Sequence, residues 1–163
     1  HSEENGWLLV IEDDVYIDEK FNFRELIDYL EKNKLLYVRL YAKRYKAAKV
    51  IGALSGFKQV VRFKTDPYGT QAYLIHSSGA KKFIQSQNRI VRPIDDEFGR
   101  FWVHHLWPIS VFPFPAVERS VASSIDGERE EQNVGRKNRN PIYLKRRVVE
   151  KVRKMIANTY APS

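Results

Sequence analysis

The sequence predicts an α/β domain, because of one unusual strand and the order of the segments after it. Residues 7–11 are an uninterrupted apolar run, which is typical of a strand buried on both faces in the middle of a sheet. An amphipathic helix and a second apolar run follow, and this order predicts a βαβ unit in a mainly parallel sheet. The 163 residues, 43% of them hydrophobic, suffice for one domain with a substantial core.

Three consecutive carboxylates, Glu12, Asp13 and Asp14, follow this first strand. In an extended segment, Glu12 and Asp14 would point the same way and Asp13 elsewhere. Carboxylates this close repel one another unless a cation or a basic partner compensates them. Hard oxygen ligands suit Mg²⁺ or Mn²⁺. The pattern therefore predicts either a metal site or an acidic loop that solvates the end of a strand.

The next elements follow from capping residues and hydrophobic spacing. Asn22 can cap a helix in which Glu25 occupies the reciprocal position, and Asn33 is its predicted end. Residues 35–40 form a second apolar run and a predicted buried strand. Residues 43–49 are basic, which predicts a solvated loop or a wall for a phosphorylated or acidic substrate. The apolar stripe of the helix is Phe23, Leu26, Ile27 and Leu30.

A turn around Gly69 separates two predicted strands, residues 59–64 and residues 69–75. The proline before it presets one dihedral angle, and glycine tolerates a positive φ. A helix should follow, with Ser77 or Ser78 as its cap. His76 lies at the joint between strand and helix, where we expect a structural rather than a catalytic histidine.

A second acidic cluster, Asp95 and Asp96, follows Pro93. Pro93 fixes an extended entry, and Asp95 is in position to cap a helix whose apolar side includes residues 98–102. Acids at a helix N-terminus are favoured by the macrodipole alone, so a structural interpretation is open. A carboxylate held ionised there is also able to accept a proton from a hydroxyl nucleophile. The proline-rich residues 107–115 predict an edge strand or an irregular one.

The net positive charge of the chain is concentrated near its C-terminal end. We predict a mobile linker over residues 127–140 and a basic amphipathic helix over residues 141–163. Residues 136–163 contain nine basic residues and one acid, an excess equal to the net charge of +8. The rest is near neutral, which argues against a nucleic-acid-binding core. The tail is either a solvated helix or a segment that lies on an anionic membrane surface.

Composition excludes several classes of protein. The chain has no cysteine, which rules out disulfides and zinc–thiolate sites and fits a reducing compartment. No stretch approaches the roughly 20 apolar residues that span a bilayer. His1 stands where an initiator methionine is expected, so we interpret the chain as a processed, tagged or excised product.

Three blocks of sequence, taken in order, resemble glycosyltransferase family 25. They are residues 9–15, residues 68–75 with residues 79–82, and residues 93–96. This family contains bacterial lipooligosaccharide and lipopolysaccharide core sugar transferases and is related to the collagen galactosyltransferases. Residues 112–118 with residues 123–125 match it more loosely. The resemblance covers roughly residues 7–126.

The resemblance implies a GT-A-like (Rossmann-like) mixed sheet flanked by helices, and transfer of a hexose such as galactose from a UDP-sugar to a lipid-linked glycan acceptor. It implies a DxD-like motif in which Glu12 and Asp14 hold Mn²⁺ or Mg²⁺, because a divalent metal neutralises the departing diphosphate. It implies Asp95 or Asp96 as the base for the acceptor hydroxyl. Donor binding would involve Glu12, Asp13, Gly69, Thr70 and Gln71.

Members of this family begin with a further nucleotide-binding segment that nothing in this chain matches. Residues 1–126 would then be the C-terminal portion of a catalytic domain. We expect the chain alone to bind a UDP-sugar poorly and, as an inactive fragment, to turn over little or nothing. A non-catalytic binding module on a membrane surface is the first alternative. A metal-dependent nuclease or phosphatase is the second, which the near-neutral core disfavours. The expected location is cytoplasmic, peripheral on the inner face of the bacterial inner membrane.

Overall fold

The computed structural model describes residues 5–87, 92–119 and 141–161. The linker predicted at residues 127–140 and the block at residues 123–125 lie outside them. Within the described part, the strands are β1 Trp7–Ile11, β2 Val15–Ile17, β3 Tyr37–Arg39, β4 Ala48–Ala53, β5 Gln59–Phe63, β6 Ala72–His76, β7 Ile109–Phe112 and β8 Ala116–Glu118. The helices are α1 Phe23–Lys32, α2 Ser77–Gln85, α3 Ile94–Phe98, α4 Phe101–His104 and α5 Pro141–Thr159.

Six strands form one mixed sheet, in the order β1-β6-β3-β7-β5-β4. Strands β3 and β7 are parallel neighbours, and the other four neighbouring pairs are antiparallel. The prediction of a mainly parallel sheet is therefore wrong. Strands β1 and β3 do run in the same direction, but β6 lies between them and is antiparallel to both. Strands β2 and β8 form a separate antiparallel pair in which Val15 faces Glu118.

Strand β1 lies at the edge of the sheet, which corrects the prediction of a central strand buried on both faces. Leu8 and Ile11 are 60% and 44% exposed. A neighbour on one side only leaves much of each side chain uncovered. An apolar run indicates a strand, but it does not indicate how many neighbours the strand has.

Strand β7 was predicted to be an edge strand or an irregular one. It lies instead inside the sheet, between β3 and β5. Ile109, Ser110 and Val111 are buried. The prolines that predicted an edge, Pro108 and Pro113, lie just outside the strand. They therefore remove no donor from its ladder.

Helix α1 begins and ends as predicted. The Asn22 side chain accepts a hydrogen bond from the Glu25 amide at 3.1 Å, and Asn33 is the C-cap. The Glu25 carboxylate does not return to the cap. It accepts bonds from the Ser55 amide at 2.8 Å and the Ser55 hydroxyl at 2.5 Å, which ties α1 to the turn between β4 and β5.

The later helices begin at different residues from those predicted. His76 itself caps α2, since its Nδ1 accepts from the Ser78 amide at 3.3 Å; neither serine is the cap, and the histidine is structural here. The N-cap of α3 is Pro93, so Asp95 lies in the first turn rather than at the cap. The single helix expected beyond Asp95 is two short ones, α3 and α4, interrupted at residues 99–100.

Two buried clusters lie on opposite faces of the sheet. Val38 and Leu40 of β3 and its continuation pack with Leu26 and Leu30 of α1. Tyr37, the alternate residue of the same strand, packs with Phe98 of α3 and with side chains of α2. Because alternate residues of a strand face opposite sides, α1 covers one face and α2 with α3 covers the other.

Candidate functional site

The acidic segment after β1 is a tight turn. The Val15 amide donates to the Glu12 carbonyl at 3.2 Å, so residues 12–15 are not extended as expected. The Glu12 amide donates to the Gln71 carbonyl at 2.8 Å and continues the pairing of β1 with β6. The turn therefore leaves the sheet beside residue 71 and leads into β2.

Carboxylates from three segments of the chain approach one another here. The pKa of Glu12 is raised, first by partial burial and then by the negative charges of Asp14, Asp95 and Glu118. Asp13 is exposed and contributes least. The turn after β1, the first turn of α3 and the end of β8 thus share one electrostatic site. We call Glu12, Asp14, Asp95 and Glu118 the carboxylate cluster.

Glu118 and its partner Tyr41 were not identified from the sequence. The Tyr41 hydroxyl donates to Glu118 Oε2 at 2.6 Å. Burial and this bond raise the pKa of Tyr41 to about 12, so the phenol stays protonated and keeps donating. The available signal was that Glu118, like Glu12, comes directly after an apolar run in the sequence. Only the pairing of β2 with β8 places the two strand ends together.

The segment 69–71 reaches the cluster through two of its three predicted residues. The buried Thr70 hydroxyl donates to Asp95 Oδ1. The side-chain oxygen Oε1 of Gln71 is buried and has no hydrogen-bond partner. Gly69 has a φ of +97°, and a Cβ there would lie 3.0 Å from the Lys43 amide nitrogen, so its contribution is the backbone turn.

A buried ion pair supports the loop that carries Thr70. Arg39 Nη2 lies 2.6 Å from Asp66 Oδ1, and the arginine is fully buried. Arg39 Nε donates to the Tyr37 hydroxyl at 2.9 Å, while Asp66 Oδ2 accepts from the Tyr68 amide at 3.1 Å. This pair was not predicted, because Asp66 is 27 residues away along the chain and only the fold brings it to Arg39.

Asp96 does not join its neighbour Asp95. It lines a cavity of about 580 Å³ between α3, α4 and α5. The other charged and aromatic residues of this wall include Tyr68, Trp102, Glu150 and Lys154. The two consecutive acids therefore serve different surfaces, and only Asp95 faces Glu12 electrostatically.

The carboxylate cluster has the chemistry of a partial metal site. Asp14 Oδ1 is buried and lacks a hydrogen-bond partner, as expected for an oxygen that faces a cation. Across residues 5–87, 92–119 and 141–161, no group of three or more acidic, histidine or cysteine side chains is arranged to hold a metal. The residues present fit a cation that takes one or two carboxylates and completes its shell with a phosphorylated ligand, as Mg²⁺ commonly does.

The fold and the cluster define a mixed α/β protein with carboxylates from three segments gathered at one electrostatic site. A sequence model of glycosyltransferase family 25 (LPS biosynthesis protein) matches residues 2–98, more than half of the chain. The chain therefore belongs to glycosyltransferase family 25, which implies a sugar donor and a glycan acceptor. No curated protein matches the chain.

The matched region contains Glu12, Thr70 and Asp95, but it ends before Glu118 and before α5. These later parts are assigned from the structure alone. In the described part of the chain, no helix combines the length and the apolar character needed to cross a membrane.

Proposed function

We propose that this family 25 chain supplies the metal-binding and acceptor-activating residues of a hexosyltransferase that moves galactose from a UDP-sugar to a lipooligosaccharide or lipopolysaccharide acceptor. The observation that supports this most is the convergence of Glu12, Asp14 and Asp95 from two distant segments. Because like charges repel one another, bringing these carboxylates together without a compensating cation destabilises the fold. Their convergence therefore indicates a function rather than a contribution to stability.

Glu12 and Asp14 are the proposed ligands of Mn²⁺ or Mg²⁺. A divalent cation there supplies charge neutralisation as the sugar–phosphate bond breaks and the diphosphate departs. The Gln71 backbone pairs with Glu12, and its buried side-chain Oε1 has no hydrogen-bond partner, so Gln71 is the proposed donor-binding contact. Asp13 is exposed on the same turn and is a further proposed donor contact.

Asp95 is the proposed base for the acceptor hydroxyl. Thr70 donates to its Oδ1, which orients the carboxylate. Oδ2 remains to accept the acceptor's proton as the new glycosidic bond forms. Asp96 faces the neighbouring cavity and is proposed to contact the acceptor glycan instead.

Transfer of labelled galactose from UDP-galactose to lipooligosaccharide tests this proposal. Because the chain alone is expected to bind the donor poorly, we expect slow turnover at saturating UDP-galactose. This turnover should require Mn²⁺ and be lost in Asp14→Asn, while the matched variant Asp28→Asn, at an exposed residue of α1, retains it. Turnover that survives both Asp14→Asn and chelation would contradict the metal site. No turnover with any UDP-hexose, by a folded chain that also fails to bind Mn²⁺, would favour the non-catalytic binding module.

The variants Asp95→Asn and Asp96→Asn distinguish the proposed roles of the two acids. Loss of a general base costs roughly 10²–10⁴-fold in kcat. We expect that loss for Asp95→Asn and a change mainly in the KM of the acceptor for Asp96→Asn. A larger loss of kcat in Asp96→Asn than in Asp95→Asn would indicate that Asp96 is the base and that Asp95 contacts the acceptor.

The proposed location follows from the acceptor, because lipid-linked glycans are assembled at a membrane. We propose a peripheral position on the cytoplasmic face of the bacterial inner membrane. Fractionation of cells that express the chain tests this, and recovery wholly in the soluble fraction at low salt would contradict it.

A further inference from the structure

Helix α5 packs on the domain through polar side chains. Glu150 Oε1 accepts from Arg92 Nη1 at 3.2 Å, and Asn158 Nδ2 donates to the Lys64 carbonyl at 3.0 Å. Between them, Lys154 Nζ lies 5.7 Å from the centre of the Trp102 ring. Glu150, Lys154 and Asn158 are spaced by four residues, so they form one stripe along the helix. That stripe is the side turned toward the protein.

The apolar side of α5 therefore faces outward, the reverse of the usual surface helix. Five apolar residues at spacings of three and four are between 47% and 66% exposed. We call them the outer face of α5: Val148, Val149, Val152, Met155 and Ile156.

Cations and aromatic rings border this outer face. Lys151 and Arg153 are exposed on its two sides. At its C-terminal end, Ile156 and Tyr160 join Trp102 and Trp107 in lining a largely apolar groove of about 400 Å³. Amphipathic aromatic side chains beside an apolar surface and flanking cations are the composition of a helix that lies in a membrane interface.

We propose that the outer face of α5 docks on an anionic lipid bilayer, a binding role separate from the proposed transfer reaction. A second copy of the chain is the less suitable occupant. It would bring Lys151 and Arg153 of both copies together, whereas Glu150, the acid on this part of the helix, already pairs with Arg92 and lies 3.8 Å from Arg100 Nε. Anionic headgroups supply the missing negative charge.

Docking would also orient the molecule. The cavity that contains Asp96 is lined by Arg147, Glu150 and Lys154 of the same helix. Lipid contact on the outer face would hold this cavity close to the bilayer surface, where a lipid-linked molecule is accessible.

Co-sedimentation of the full chain with two kinds of vesicle tests the proposal. One kind is phosphatidylcholine alone, and the other contains phosphatidylglycerol as well. We expect binding to the second kind that weakens with salt. The double variant Val152→Glu, Met155→Glu should bind at least about tenfold more weakly, because it removes apolar contact and adds like charge to the headgroups.

The matched control is Ile84→Glu, which makes the same kind of change at a 68% exposed residue of α2 and should bind like the wild type. Circular dichroism checks that each variant is folded. If the double variant does not fold, Lys151→Gln with Arg153→Gln serves instead, and it should reduce both binding and its salt dependence.

Three results would overturn the proposal. The first is a wild-type chain that does not prefer anionic vesicles. The second is a folded outer-face variant that binds them as well as the wild type does. The third is a dimer in light scattering that the same variant dissociates, which would identify a second copy as the occupant.

Discussion

At the scale of single residues, the buried ion pair of Arg39 and Asp66 lies beneath the site. Both side chains are almost fully removed from water, and the pair holds the loop that presents Thr70 to Asp95. Removing one partner of a buried pair leaves an uncompensated charge, which costs more than the pair itself contributes.

We predict that Arg39→Met lowers the free energy of unfolding by about 3–5 kcal/mol. Arg24→Met is the matched control, because Arg24 is 89% exposed and its carboxylate partner is 3.9 Å away. Its effect should stay within about 0.5 kcal/mol. Urea unfolding measures both, and equal effects of the two variants would contradict the role given to Arg39.

His104 gives the fold a pH dependence. It is buried, its Nε2 lies 3.1 Å from the Glu97 carbonyl, and its Nδ1 accepts from the Leu106 amide at 3.1 Å. One ring nitrogen donates and the other accepts, so this environment suits the neutral imidazole. Burial lowers the pKa of His104 to about 4, although the backbone contacts partly oppose the shift.

The unfolded chain protonates this histidine more readily than the folded chain does. The contribution of neutral His104 to the free energy of unfolding is therefore complete above pH 6.5 and is lost as the pH falls toward 4. The loss by pH 4.5 amounts to about 2–3 kcal/mol. We predict that His104→Gln flattens this part of the curve of unfolding free energy against pH. A variant whose stability still falls as steeply as the wild type's would show that other groups are responsible.

At the scale of elements, the loop through Gly69 connects the fold to the site. Gly69 combines a positive φ with a close approach to the Lys43 backbone, whereas Gly56 has a φ of +65° and open space around its Cα. Comparing substitutions at the two glycines therefore distinguishes the cost of the strained dihedral angle from the cost of a steric clash.

We predict that Gly56→Ala costs about 1 kcal/mol and that Gly69→Ala costs about 2–3 kcal/mol, because only the second adds a clash to the strained dihedral. Thermal unfolding compares them. Gly69→Ala should also displace Thr70 and lower transfer activity. Equal destabilisation by the two substitutions would show that the contact at Gly69 relaxes without cost.

Local sequence signals predicted where helices and strands occur better than they predicted which strands are neighbours in the sheet. The Asn22 cap and the Asn33 stop of α1 follow from side-chain chemistry within one turn, and both are confirmed. The cap of α2 was assigned to a serine, because His76 is an uncommon cap, and its role depends on the rotamer that contacts Ser78. Strand β4 was not predicted, because two apolar residues, Val50 and Ile51, do not indicate a strand on their own. The strand is defined by its pairing with β5, which is irregular at Ile51.

At the scale of the whole molecule, topology decides what the sequence leaves open. The apolar runs that became β1 and β7 do not reveal that the first is an edge strand and the second an internal one. The same topology assembles the carboxylate cluster. Glu12, Asp14 and Asp95 were identified from their local patterns and from the family resemblance, whereas Glu118 required the pairing of β2 with β8.

We infer that the carboxylate cluster is a metal site, and titration with Mn²⁺, followed by water-proton relaxation, tests this claim. We predict a Mn²⁺ site in the wild type, strengthened by UDP, retained in Asp28→Asn and lost in Asp14→Asn. A wild-type chain that binds no Mn²⁺ even with UDP, or an Asp14→Asn variant that binds as the wild type does, would contradict the claim.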